Sequence, residues 1–387
     1  MNLTNITELC DIQIGRTPKR SEVKYWGNGH SWLSIADMGE KYVYDSKEEV
    51  TNLAVEECRM KIVPKNTVVM SFKLTIGRLG ITEKDLYTNE AIAAFLIKDK
   101  NLLLPEYLYY SLKGYNFDHL IDRAAKGKTL NKRKLSEIYI PLIPIDNQKK
   151  IIEILNKAEN LLVKRQQQIE ALSALKQSVF LDMFGDPIRN DKKWQTYKIK
   201  EYSDSIVPGR NKPKSFTGHI PWITTEDLID KGVTYKSKSE IGLTEAEIKK
   251  VNARIIPRES VLMTCVGDLG RVSIAGKDCV VNQQLHTYQP TECLNNIFLM
   301  YFLSHQKPYM YKYATTTTVP YMNKTTCNNM IVYLPPIELQ ESFAQKILQI
   351  DHRLNLISNS LEEIKLLYDS LLHKAFNGEL FKEEIKA

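Results

Sequence analysis

No stretch of about 18 consecutive apolar residues occurs in this 387-residue sequence, so no membrane-spanning helix is expected. The N-terminus, MNLTNITELCDIQIG, lacks a basic region followed by an apolar run, and no secretory signal is predicted. Cysteines are few: Cys10, Cys58, Cys265, Cys279, Cys293 and Cys327 form no CxxC pair. Such scatter is expected of reduced thiols in a cytoplasmic protein rather than of a disulfide framework or zinc site. The histidines (His30, His119, His219, His286, His305, His352 and His373) show neither HExxH nor any short ligand spacing, so no metal centre is expected. There is no GxGxxG, and no Asn-Pro-Pro-aromatic or Asp-Pro-Pro-Tyr string of the kind an adenine methyltransferase acting alone needs. The GKT at Gly127–Thr129 is not a P-loop, because Asp122 stands where the first glycine belongs. These absences predict a non-enzymatic chain with no cofactor of its own. A nuclease built on scattered carboxylates and a lysine is the one enzyme class they leave open.

Glycine and proline are missing from two long stretches, residues 147–184 and 338–376, each predicted to be one helix. Gly185-Asp186-Pro187 stops the first and Asn377-Gly378 the second. Between and before them lie mixed α/β segments, with β-rich runs at Thr67–Phe72, Ala91–Ile97 and Ile138–Ile143 and a shorter helix near Pro105–Leu112. The chain thus divides into 1–146, 147–186, 187–337 and 338–387. Net charge is +7, and it is uneven: residues 187–337 carry 20 Lys+Arg against 13 Asp+Glu, while 338–387 carry 6 against 9. A polyanion contact would belong to the globular segments and not to the acidic C-terminal one.

The sequence repeats itself. Residues 61–91 and 254–284 align without a gap at an offset of 193 with 10 identities in 31 positions, among them Met70/Met263, Gly77/Gly270, Arg78/Arg271, Asp85/Asp278 and Asn89/Asn282. The helices repeat at an offset of 192. In the second, Ile347, Ile350, Leu354, Ile357, Leu361, Ile364, Tyr368, Leu371 and Ala375 alternate spacings of 3 and 4, a coiled-coil seam. The matching positions in the first are Leu155, Ala158, Leu162, Arg165, Ile169, Leu172, Lys176, Val179 and Met183, an imperfect seam with two charges. Ile151, Ile154, Leu161 and Leu175 add a second apolar flank. Two such helices are expected to pair antiparallel and hold two similar modules apart; packing of each helix on its own module is the alternative. Two copies of one module suit reading two separated sites on a duplex.

Each module closes alike: IYIPLIPIDNQ (138–148) and MIVYLPPIELQ (330–340) each join an apolar strand, a proline turn and a Gln-containing helix start. With the exit MFGDP (183–187) and the openings IGRTP (14–18), WLSIADM (32–38), PGR (208–210) and PWITTEDL (221–228), this order resembles the specificity subunits of type I restriction–modification systems over nearly the whole chain. The resemblance implies a pseudo-twofold α/β architecture of two target-recognition domains and two long antiparallel spacer helices. It also implies a non-catalytic subunit that binds a bipartite double-stranded DNA sequence. Its implied partners are two methyltransferase (modification) subunits, which would carry S-adenosylmethionine, and restriction subunits in the full complex. The second opening, GRNKPKSFTGHIPW, is shorter than GRTPKRSEVKYWGNGHSW, which suggests unlike half-sites and an asymmetric target. The specificity subunit of a combined cutting-and-methylating type II system, and a coiled-coil scaffold that binds only protein, are the alternatives.

Three sets of residues are candidates for DNA contact. Arg16, Lys19, Arg20 and Lys24, matched by Arg210, Lys212 and Lys214, lie in Gly/Pro loops where cations can reach phosphates. Arg123, Lys126, Lys128, Lys132, Arg133 and Lys134 crowd into RAAKGKTLNKRK, a repulsive cluster unless a polyanion is near. Its counterpart ATTTTVPYMNKTT offers Thr315–Thr318 (Thr316 and Thr317 among them), Asn323 and Lys324. Lys73, Arg78 and Arg271, with Asn89, Asn282, Gln283 and Gln284, could pair with guanine or adenine edges. A structural ion pair of Arg78 with Asp85, and of Arg271 with Asp278, competes with that reading. Tyr107, Tyr109, Tyr110, Tyr301, Tyr309, Tyr311 and Tyr313 are expected to pack rather than to stack on bases.

Overall fold

The computed structural model describes residues 3–121, 130–209, 211–315 and 318–380. The chain forms two compact units, Met1–Gln166 with Asn359–Ala387, and Gln167–Ser358. Each unit therefore holds one α/β module and a segment of both long helices.

The first unit contains β1 (Leu3–Asn5), α1 (Ile6–Leu9), β2 (Cys10–Ile14), β3 (Trp26–Leu33), β4 (Tyr42–Val43), β5 (Glu48–Val50), α2 (Asn52–Glu57), β6 (Val68–Ser71), β7 (Leu79–Thr82), β8 (Tyr87–Thr88), β9 (Ile92–Ile97), α3 (Pro105–Lys113), α4 (Lys132–Leu135), β10 (Tyr139–Pro141) and the start of α5 (Ile145–Phe184). A five-stranded sheet runs β2-β9-β6-β7-β4, a three-stranded sheet β5-β3-β8, and β1 pairs with β10. The second unit repeats this order. It contains β11 (Thr196–Lys198), β12 (Ser203–Asp204), β13 (Ile220–Ile223), β14 (Gly232–Thr234), β15 (Gly242–Leu243), α6 (Glu245–Val251), β16 (Val261–Thr264), β17 (Val272–Ala275), β18 (Val280–Val281), β19 (Leu285–Pro290), α7 (Asn296–Ser304), α8 (Lys307–Tyr313), α9 (Lys324–Asn328), β20 (Ile331–Tyr333) and the start of α10 (Ile337–Phe376). Its sheets are β12-β19-β16-β17-β14, β15-β13-β18 and β11-β20, the same topology strand for strand.

The long helices begin at the two proline turns. The Pro144 carbonyl accepts from the Asn147 and Gln148 amides, and the Pro336 carbonyl from those of Leu339 and Gln340. Each helix stops at a glycine in the left-handed region, Gly185 (φ 79°) and Gly378 (φ 75°), where a Cβ is disfavoured. Both glutamines are fully buried and tie helix to module. Gln148 accepts from the Leu104 amide (3.0 Å) and donates to the carbonyls of Leu102 (2.7 Å) and Ile143 (2.8 Å). Gln340 does the same with Asn295 (2.9 Å), Cys293 (3.2 Å) and Pro335 (2.8 Å).

The heptad positions face inward in both units. In the first, Leu155, Ala158 and Leu162 share a core with Tyr368, Leu371 and Ala375, and Leu361 and Ile364 are buried or half-buried. In the second, Ile169, Leu172 and Val179 are half-buried, as are Leu354 and Ile357, and Ile350 is buried. There Lys176 meets Asp351 (2.6 Å), while Phe184, further along α5, packs on Phe343, earlier in α10, so the segments run antiparallel. The charge at Lys176 that marred the seam is thus neutralised across it. On the second apolar flank, Leu161 and Leu175 are 51% and 44% exposed, whereas Ile151 is buried. The alternative of each helix packing on its own module also has substance: Ile151 and Leu155 belong to the core of the first module, and Phe343 and Ile347 to that of the second. Fully burying such side chains contributes about 1.5–3 kcal/mol each.

The six cysteines are free thiols. Burial pushes those of Cys10, Cys265 and Cys279 up to about 12, which makes them poor nucleophiles. No helix among the described residues is long and apolar enough to cross a membrane.

Candidate nucleic-acid interface

The β6–β7 and β16–β17 hairpins are built alike. Ser71 Oγ accepts from the Arg78 amide (3.0 Å), and Thr264 Oγ1 accepts from the Arg271 amide (2.9 Å). Gly77 (φ 85°) and Gly270 (φ 77°) make the turn, which is why this identity persists across the repeat. The ion pairs weighed as the alternative for the two arginines are not formed among the described residues. Asp85 accepts from the Lys65 amide (2.8 Å) and Asp278 from the Arg258 amide (2.8 Å), each carboxylate closing a local turn. Arg78 instead donates to the Ile35 carbonyl (3.2 Å) and stays exposed. Arg271 spends two donors on the Thr225 (3.2 Å) and Leu228 (2.8 Å) carbonyls and is half-buried. One arginine keeps N–H groups for a ligand, and its counterpart mainly braces a loop.

A second element joins each hairpin. The Leu130 amide donates to the Phe72 carbonyl (2.9 Å), and the Met322 amide to that of Cys265 (2.9 Å). Next in sequence, Asn131 caps α4 through the Lys134 amide (3.0 Å), and Asn323 caps α9 through the Thr326 amide (2.9 Å). Lys132 and Arg133, and likewise Lys324, therefore stand exposed on a short helix bonded to the hairpin that carries Lys73 and Arg78, or Arg271. Arg133 pairs only loosely with Glu137 (3.6 Å, 89% exposed). Asn323, a candidate for DNA contact through its amide, has its Oδ1 accepting from the Thr326 amide and hydroxyl.

The opening loops differ. In the first module Arg20 is held by both oxygens of Glu48 (the longer contact 2.9 Å) and lies over the rings of Trp26 (4.0 Å) and Trp32 (4.9 Å). The hydrogen bond to Glu48 raises the Arg20 pKa and lowers that of the carboxylate. Arg16 reaches the Cys58 carbonyl (2.7 Å), and Lys24 pairs with Glu57 (3.0 Å). Lys19 is exposed, with no side-chain partner among the described residues. A Cβ on Gly15 would collide with the Thr88 and Asn89 carbonyls, so the loop runs tight against the β8–β9 turn. In the second module Lys212 and Lys214 are exposed, and Lys212 lines an open cavity of about 440 Å³ with Trp222 and Gln283. Gln283 also donates to the Gly209 carbonyl (3.2 Å).

Of the residues singled out in the sequence, Lys73 and Arg78 follow β6 in the hairpin of the first module and Lys132 and Arg133 lie on the helix bonded to it, while in the second module Arg271 lies on the hairpin and Asn323 and Lys324 on the helix bonded to it. Arg16 and Arg20 belong to a separate, aromatic-lined loop. Arg123, Lys126, Lys128, Arg210, Thr316 and Thr317 lie outside the described residues. Tyr107, Tyr110 and Tyr301 are buried as expected of packing residues, whereas Tyr311 and Tyr313 are about half exposed (45% and 50%). Sequence reasoning missed Trp26, Trp32, Glu48, Phe216 and Trp222 as parts of a site. The tryptophan recurring before the Ser34–Asp37 and Thr224–Asp227 turns was the available signal.

The family profile described as "Type I restriction modification DNA specificity domain" matches residues 1–171 and again 191–366. The chain is similar to the Type I restriction enzyme MjaIX specificity subunit of Methanocaldococcus jannaschii, 24% identical over an alignment of 416 positions that covers 99% of this chain and 94% of the relative. Among solved structures, the type I restriction–modification S subunit from M. genitalium superposes with a TM-score of 0.57 at 14% identity, covering 97% of this chain and 96% of the other. A chain from work on the assembly and conformational transition of a type I restriction–modification system gives 0.67 at 15% identity, covering 98% of each.

Proposed function

The chain belongs to the type I restriction modification DNA specificity family, and on that premise we propose that it reads a bipartite, asymmetric DNA target, one half-site per module, and positions methyltransferase subunits there. The observation that carries this reading is a surface built twice. In each module a β-hairpin with an arginine is bonded to a short helix that opens Asn-Lys, at Asn131-Lys132 and at Asn323-Lys324. Lys73, Arg78, Lys132 and Arg133 would neutralise phosphates in one half, and Lys212, Lys214 and Lys324 in the other; cations so placed release counterions and hold the duplex in register. Bases would be read by the amides that sit nearby. The unlike wiring of the two arginines and of the two opening loops supports unlike half-sites.

The helices would act as the ruler. Forty residues at roughly 1.5 Å each make about 60 Å, enough to reach across one to two turns of duplex at about 34–36 Å per turn. Their exposed leucines, among them Leu161, Leu348, Leu356 and Leu366, would meet two modification subunits. Those partners would bring S-adenosylmethionine and extrude the target adenine, and restriction subunits would complete the assembly. This chain would contribute recognition and no chemistry.

Methylome sequencing tests the reading. A host carrying this gene with its neighbouring methyltransferase gene is expected to show one bipartite methylated motif that disappears when this gene alone is deleted. An unchanged methylome would overturn it. Removing one heptad from α5 and its partner heptad from α10 is expected to change the spacer and leave the half-sites as they were.

A further inference from the structure

The second module holds an open cavity of about 440 Å³ whose counterpart in the first module is filled from within. Its floor is apolar: Phe216, Trp222 (6% exposed) and Ile241. Its rim carries Lys212 and the amides of Asn282 and Gln284. Gln284 is exposed but held. Asn282 Nδ2 donates to Gln284 Oε1 (3.1 Å), and the Gln284 backbone amide donates to Asn282 Oδ1 (3.2 Å). The Gln284 carbonyl in turn accepts from the Cys265 amide of the neighbouring strand (2.9 Å), so the side chain stands on a fixed backbone. One lone pair of Oε1 and both hydrogens of Nε2 have no partner among the described residues. Neither has Trp222 Nε1, whereas Trp32 Nε1 donates to the Arg16 carbonyl (2.9 Å).

In the first module the place is closed. Arg20 covers Trp32, the position of Gln284 is taken by the buried Ala91, and that of Gln283 by Glu90, whose carboxylate accepts from Thr17. An amide with one free acceptor lone pair beside a free donor matches adenine N6–H and N7 in the major groove, and an apolar surface beside it suits the thymine methyl of the same pair. Too little of Trp222 is exposed to offer a stacking face, which favours an edge read in the duplex over an extruded base. We propose that Gln284 reads the adenine of one A·T pair in the half-site bound by the second module, with the thymine methyl seated toward Phe216, Trp222 and Ile241. This rests on the DNA-reading function proposed above and assigns one of its base contacts.

The test uses the full complex of this chain with its modification subunits and duplexes carrying the methylated motif. Each adenine of either half-site is replaced in turn by 7-deazaadenine, which lacks N7. For the unaltered complex one substitution, confined to one half-site, is expected to weaken binding roughly tenfold or more. Gln284→Ala is expected to weaken binding to the unmodified duplex by a similar factor, to show no further loss with that 7-deazaadenine, and to make that motif position degenerate in the methylome. Gln284→Glu, which keeps the acceptor and loses the donor, is expected to behave likewise. Equal 7-deazaadenine losses with and without Gln284, a motif unchanged by Gln284→Ala, or a half-site without adenine would overturn the assignment while leaving the DNA-reading function standing. Failure of the unaltered complex to prefer its motif over competitor DNA would overturn both.

Discussion

Glu159 in α5 and Asp351 in α10 occupy the same place in the repeat, and so do Tyr368 and Lys176, the residues they face. In the first unit Glu159 accepts from Lys113 (2.6 Å), Tyr110 (2.7 Å) and Tyr368 (2.8 Å). Burial opposes its ionisation, but the bonds from Lys113 and Tyr110 outweigh that and hold its pKa below the usual value. Among the described residues, Asp351 in the second unit takes Lys176 alone, and the hydroxyl of Tyr301, the counterpart of Tyr110 on α7, is buried with no partner. Asp351 is one methylene shorter, and Ser304 stands where the first module has Lys113. The same backbone thus supports a satisfied buried network in one unit and a single ion pair with an orphaned hydroxyl in the other. A repeat conserves where the helices meet; the polar wiring at the meeting point is free to diverge.

The test with the largest expected effect asks what the units share. Gln148→Leu and Gln340→Leu each take the partner from one backbone amide and two carbonyls, most of them part-buried, and each should cost about 3 kcal/mol, measured by urea unfolding. Unequal costs would mean the two helix starts are not equivalent.

The next test breaks the symmetry. Glu159→Ala takes the acceptor from Lys113 and Tyr368 and leaves Tyr110 to Asn156 and Lys41, and it should cost about 3 kcal/mol, whereas Asp351→Ala should cost about 1 kcal/mol, because Asp351 is partly exposed. Asp351→Glu should add up to about 1 kcal/mol if the longer side chain satisfies Tyr301. The Glu159 contribution also has a pH signature. Its folded pKa lies below its unfolded one, so the stabilisation is present above about 4.5 and is lost as pH falls through the folded value. Hydrogen exchange of α3 should show this loss, and Glu159→Gln should remove it.

His286 gives the second unit a different pH dependence. Burial drives its pKa down to about 4, against the hydrogen bond its Nε2 makes to the accepting Asn328 Oδ1, and the matching residue in the first unit is Ala93. Between about 4 and 6.5 the unfolded chain binds the proton and the folded one does not. Stability is therefore full above about 6.5 and falls by roughly 2–3 kcal/mol on acidification to about 4. Exchange protection in β19 should fall over that range while β9 holds; equal loss in both would contradict the assignment.

The smallest effect concerns the opening loops. Lys212→Ala should lower the slope of log affinity against log salt by about 0.9, as loss of one phosphate contact does. Arg20, committed to Glu48 and two indoles, should leave that slope unchanged when replaced by Lys.

The duplication, the two helices and the heptad seam were legible in the sequence, because spacing of apolar residues and the absence of Gly and Pro act locally and leave a periodic record. Gly77 and Gly270 announced their turn for the same reason. The candidate binding residues were legible only as types. Arg78 and Arg271 align and were expected to share a fate, yet one stays exposed and the other is spent on Thr225 and Leu228. Arg20 looked like a free loop cation and is a clamp on Trp26 and Trp32.

Pattern along the chain determined that this protein has two modules of one topology and two long helices with matching seams, since those depend on backbone propensity and burial that each segment carries with it. Which cations remain available, which amides stand unpaired at a cavity, and whether a seam charge is neutralised depended on residues 30 to 200 positions away in sequence. Only tertiary packing brings those partners within hydrogen-bonding distance, and a one-methylene difference, Glu159 against Asp351, is enough to change which of them meet.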